Sequence, residues 1–97
     1  MTEKEMNEVF DAGYILEQKL IENGYCTEEG CVGTSSCIND VHFTRAMDFE
    51  YTEKKPTQEV INTFAPKGFR FILDFYEHED NEDSYYNTVF CVEVSKE

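Results

Sequence analysis

Near the amino end, apolar residues recur at helical spacing: Met6, Val9, Phe10, Gly13, Leu16 and Leu20 form one stripe, with Glu3, Asp11 and Glu22 on the other side. Thr2 followed three residues later by Glu5 has the form of a capping box, and Gly24 closes the pattern, so a helix is predicted over residues 3–23. Gly13 lies on the apolar stripe. There it would let another element come close, at a cost near ~1 kcal/mol relative to Ala.

From Val41 the period changes to two. Val41, Phe43, Met47, Phe49 and Tyr51 share one face and His42, Thr44, Asp48 and Glu50 the other, the signature of a half-buried strand; Arg45 is the one charge on its apolar side. Pro56 suits the first turn of a short helix through Val60, Ile61 and Phe64, which Pro66 and Gly68 end. Two further strands follow. In one, Phe69, Phe71, Leu73 and Phe75 alternate with Arg70, Ile72, Asp74 and Tyr76; in the other, Tyr86, Thr88, Phe90, Val92 and Val94 alternate with Asn87, Val89, Cys91 and Glu93. Residues 77–84 between them are polar throughout and predict an exposed hairpin loop. Residues 24–37 hold three of the five glycines and three of the four cysteines without sustained periodicity, and are expected to form a loop with room for a short strand.

The expected fold is therefore α+β: an antiparallel sheet of three to four strands, with the long N-terminal helix and a short second helix packed on one face. At 97 residues the chain is read as a single domain spanning 1–97. No run approaches the ~18 apolar residues of a membrane span, and the start, Met1-Thr2-Glu3-Lys4-Glu5, lacks the basic and apolar regions of a secretory leader, so a cytoplasmic protein is expected. In that compartment Cys26, Cys31, Cys37 and Cys91 would stay reduced.

Charge adds what the periodicity does not contain. Twenty-one Asp and Glu face eight Lys and Arg, a formal net charge of −13. Solubility of a small domain needs a magnitude of only ~2–8, and charge beyond that opposes compaction through self-repulsion. Aromatics at 14% and hydrophobics at 40% are too plentiful for a disordered acidic tail, so the charge belongs to a folded surface. Such a surface suits a basic protein partner. The competing reading is a well-solvated surface with no particular partner. Direct nucleic-acid binding is disfavoured, because only Lys54-Lys55 and the segment from Lys67 to Arg70 cluster positive charge.

Two constellations are candidate sites. The first is acidic: Glu77, Glu79, Asp80, Glu82 and Asp83 in the polar loop, joined by Glu50 and Glu53, could stand in for a run of nucleic-acid phosphates. The loop lacks the glycine and spacing of an EF-hand, which disfavours calcium. The second is Cys26-x4-Cys31-x5-Cys37-x4-His42, four groups of the type that hold tetrahedral zinc, though without a C-x2-C knuckle. A structural zinc is the possible cofactor of that set; the alternative is unconnected thiols. Catalysis is not expected. Glu28, Glu29 and Asp40 flank the thiols and would raise their pKa, His42 and His78 lie on separate elements, and no nucleotide-binding or hydrolase motif occurs.

By composition, with no motif match, a short, strongly acidic, aromatic-rich chain resembles the small phage-encoded inhibitors of bacterial defence, the anti-CRISPR and anti-restriction proteins, several of which mimic DNA. The resemblance implies occlusion of the basic DNA-binding surface of a nuclease in the bacterial cytoplasm, with no reaction catalysed. The alternatives from other classes are a small structural-zinc interaction module and, further off, an enzyme using Cys31 or Cys37.

Overall fold

A computed structural model of the chain describes residues 3–39, 42–75 and 89–97. Its elements run α1 (Glu3–Glu22), β1 (Cys26–Asn39), β2 (His42–Tyr51), α2 (Gln58–Phe64), β3 (Phe69–Phe75) and β4 (Val89–Lys96). All strand pairs are antiparallel and the sheet order is β1-β2-β4-β3. This is the α+β architecture expected from the periodicity. Thr2, Val41 and the acidic loop of residues 77–84 lie outside the described residues.

The α1 stripe buries Val9, Ala12, Gly13, Leu16 and Leu20, which return to one side of the helix every three or four residues. Its end is a Schellman motif. Gly24 takes φ +76°, its N–H donates to the Ile21 carbonyl at 3.1 Å, and the Tyr25 N–H donates to the Leu20 carbonyl at 2.9 Å. Gly13 meets the sheet closely: a Cβ there would stand 2.9 Å from Met47 Sδ, so the missing side chain sets the approach of helix to strand.

The helices share a core with one face of the sheet. Phe43, Met47 and Phe49 of β2, Phe90, Val92 and Val94 of β4 and Phe71 of β3 are buried against Val9, Leu16 and Leu20 of α1 and Ile61 of α2. These strand residues are those that the period-two reading placed on the apolar phase. At one end Tyr51 stacks on Phe75 at 5.9 Å between ring centroids, and Phe49 on Phe90 at 5.6 Å. The first half of β4 is buried on both sides, since Val89 and Cys91 point away from the helices and are nonetheless enclosed, whereas Glu93 on the same outer face is exposed. Burial on both faces over residues 89–92 goes with an unbroken apolar run there.

Two elements differ from the sequence reading. Residues expected as a loop form β1, 14 residues long. Its glycines are absorbed by irregularities: the register shifts between Cys26 and Cys31 and again between Cys31 and Gly33, and Gly30 takes φ +72°. Beyond Gly33 the pairing is regular, Thr34 with Met47 through Asn39 with His42, so a strong partner strand overrides weak local propensity. The second helix begins at Gln58, two residues after Pro56, which therefore precedes the first turn rather than lying in it. Thr57 is its N-cap, accepting from the Val60 N–H at 3.2 Å, and Pro56 is buried just ahead of the cap.

Candidate functional site

Acids far outnumber cations in this chain, and among the described residues many of them are exposed on helix and strand. Exposed acids lie on α1 (Glu3, Asp11, Glu22), in the irregular part of β1 (Glu28, Glu29) and after β2 (Glu53). Asp74 and Glu93 are exposed on the sheet face opposite the helices, where the register sets Asp48 and Asp74 on either side of Cys91. Two strand spacings of ~4.8 Å put those two backbones about 10 Å apart.

Three of the eight cations lie over aromatic rings. The Arg45 guanidinium sits 4.7 Å from the Phe10 centroid, the Lys54 ammonium 4.4 Å from Tyr25, and the Lys55 ammonium 5.4 Å from Tyr51. Lys54 also donates to the Asn23 carbonyl at 2.9 Å. Lys96 and Glu8 form an ion pair on the surface at 2.5 Å. The hydrogen bond from Lys96 holds the Glu8 carboxyl below its ordinary range, and the same bond raises the Lys96 ammonium.

Of the predicted acidic set, Glu50 is half-buried and Glu53 is exposed in the connection to α2. Glu50 pairs with Val89, and Phe75 pairs with Phe90, so Glu50 occupies the end of the sheet where β3 ends and β4 begins, the two being joined in sequence by the segment 76–88. Glu77, Glu79, Asp80, Glu82 and Asp83 belong to that segment, outside the described residues.

The second predicted set is divided by the sheet. Cys26 is buried in the core and Cys31 is packed against it, on the helix side. Cys37 pairs with Thr44, which together with His42 occupies the opposite face, and both Cys37 and His42 are exposed. Among the described residues, no three His, Cys, Asp or Glu side chains converge as metal ligands. Sequence proximity suggested a cluster, but alternation along β1 sends its thiols to different faces.

Burial also disfavours the thiolate form of Cys26 and Cys31. Burial pushes Cys26 up to about 11, with Glu17 and Cys31 adding to the effect. Burial raises Cys31 as well, although its thiol donates to the Gly33 carbonyl at 3.1 Å. The sequence neighbours Glu28, Glu29 and Asp40 were expected to cause such shifts. Desolvation causes most of them, and the carboxylate that contributes is Glu17, brought from α1.

A feature not visible as a motif is a groove of about 370 Å³ between α1 and the β1 side of the sheet, walled by Phe10, Tyr14 and Glu17 and floored by Thr34, Arg45 and Met47. Glu17 Oε2 accepts from the Cys31 N–H at 2.8 Å at its edge. The sequence signals were Arg45 on the apolar phase of β2 and the exposed Tyr14, 61% accessible, beside the apolar stripe of α1.

The chain matches no protein-family model, and no curated protein or solved structure is significantly similar to it. Among the described residues no helix is long and apolar enough to cross a membrane.

Proposed function

We propose that this chain is an acidic inhibitor that binds the basic nucleic-acid-binding surface of a bacterial defence nuclease, setting carboxylates where the nucleic acid's phosphates would lie. The observation that carries this reading is a net charge of −13 on a folded scaffold whose cations are partly diverted to aromatic rings. The uncompensated field of such a surface attracts a basic cleft, steers association and competes with DNA without any chemistry of its own. Action in the bacterial cytoplasm belongs to the same proposal.

The test is inhibition of purified CRISPR and restriction nucleases, read as loss of DNA cleavage, followed by binding to an inhibited enzyme at several salt concentrations. Affinity should fall steeply as the Debye length shortens from ~30 Å at 0.01 M to ~8 Å at 0.15 M salt. Reversal of Glu79, Asp80, Glu82 and Asp83 to Lys should slow association while the melting temperature holds or rises. Absence of inhibition across the panel, or binding indifferent to both salt and charge reversal, refutes the proposal.

A further inference from the structure

The two edges of the sheet are treated differently. Outside β3, the Gln58 amide closes the edge: its Nε2 donates to the Phe71 carbonyl at 2.7 Å and its Oε1 accepts from the Leu73 N–H at 2.7 Å. The amide thus satisfies the groups a further strand would use. At the other edge, irregularities and the Glu17 contact to the Cys31 N–H interrupt the first half of β1. Its second half has no such protection. Thr34, Ser35, Ser36, Cys37 and Ile38 are all exposed, in regular pairing with β2, and among the described residues no strand lies beyond them.

Which backbone groups point outward follows from alternation. In an antiparallel sheet a residue directs both its N–H and C=O to one neighbour, and the next residue directs them to the other. Gln58 marks Phe71 and Leu73 as facing away from β4. Carried through the registers, this assigns Arg45 and Met47 to β4, Thr44 and Ala46 to β1, and leaves Thr34, Ser36 and Ile38 with backbone groups turned outward.

Charge is absent from the same stretch. Gly30–Asn39 is a run of ten residues without Asp, Glu, Lys or Arg, the longest in a chain that is 30% charged. It also lacks proline, and Ile38 is 60% exposed. Lysine, proline and short length are the usual protections of an edge, and this one has none of them. A basic partner would favour acids along the contact, whereas a second copy of a −13 chain requires a contact free of them.

We propose that two copies of this chain associate through β1, forming a continuous eight-stranded antiparallel sheet across a two-fold axis at Ser36. Outward residues must meet outward residues, so Ser36 pairs with Ser36 of the second copy, and Thr34 pairs with Ile38 of the second copy. The latter contact covers the exposed Ile38 with a β-branched neighbour. The axis relates an uncharged strand segment to itself and keeps the acids of each copy outside the strand contact. The proposal concerns assembly and stands independently of the inhibitor reading.

Sedimentation velocity and light scattering of the full chain test it, at about 0.15 M salt, where charge repulsion is screened beyond ~8 Å. At about 100 μM chain, an affinity in the low micromolar range makes most of the protein dimeric, with twice the 11.4 kDa chain mass. Ser36→Pro removes the N–H at the axis, and Ile38→Lys places a like charge on each side of the contact at a site already exposed. Each should weaken association by more than tenfold while the circular dichroism of the monomer is retained. Amide exchange at Ser36 and Ile38 should slow as protein concentration rises. A monomeric wild type, a species larger than a dimer, or a folded Ile38→Lys protein that dimerises unchanged would each overturn the proposal.

Discussion

Gly30→Ala probes the point where helix, strand irregularity and carboxylate meet. Gly30 takes φ +72°, and a Cβ built on it stands 2.6 Å from Glu17 Oε2, the atom that accepts from the Cys31 N–H. Two costs follow. A left-handed backbone costs a non-glycine residue about 1–2 kcal/mol. Displacing the carboxylate removes a hydrogen bond to a charged acceptor, about 1.5–3 kcal/mol. Together these predict a loss of about 2.5–5 kcal/mol from a domain whose stability lies within about 5–15 kcal/mol. Gly24→Ala separates the two costs, because Gly24 has a similar φ of +76° with nothing within 4 Å of its Cβ position, and should lose only about 1–2 kcal/mol. Glu17→Ala should by itself cost about 1.5–3 kcal/mol, and in that background Gly30→Ala should again cost only about 1–2 kcal/mol. The assay is urea unfolding, with midpoint shifts compared at unchanged slope. Equal cost of Gly30→Ala in both backgrounds would refute the claim that its side chain acts by displacing Glu17.

Phe49→Ala, at a fully buried ring stacked on Phe90, should cost about 3–5 kcal/mol in the same assay, whereas truncation of the exposed Tyr14 should lie within about 0.5 kcal/mol of wild type. Thiol chemistry should separate by exposure: at neutral pH an iodoacetamide time course should modify exposed Cys37 first and buried Cys26 only on unfolding. Because burial raises Cys26 in the folded state from an ordinary value of 9.0 to about 11, the unfolded chain releases that proton first. The associated stability is therefore complete below pH 9 and declines as pH rises toward 11. Unfolding midpoints that stay level across this window in wild type, while Cys26→Ser shows the same profile, would contradict the shift.

Two periodicities carry most of the fold. Met6 to Leu20 repeats at the spacing of a helix, and Phe43 to Tyr51 and Phe69 to Phe75 repeat at the spacing of a strand, so the faces that must be hidden from water are written into residue order. Gly13 was legible in the same way, as a gap in an apolar stripe that the Met47 side chain fills. The net charge is likewise a property of composition, independent of where any residue sits.

What residue order did not contain is pairing. β1 is made of glycine, serine, threonine and cysteine with little preference of their own, and becomes a strand because β2 offers it a ladder of hydrogen bonds. Only that pairing decides that Cys26 and Cys31 face the helices while Cys37 and His42 face away, which undoes the cluster their spacing suggested. Glu17 acts on Cys31 from 14 residues away, and Gln58 closes the β3 edge at Phe71 and Leu73 from 13 and 15 residues away. Local pattern determines which face a residue turns inward, because that depends on its immediate neighbours in the chain. Which groups meet across the interior, and which edge is left open, depends on elements that are close only after the chain has folded.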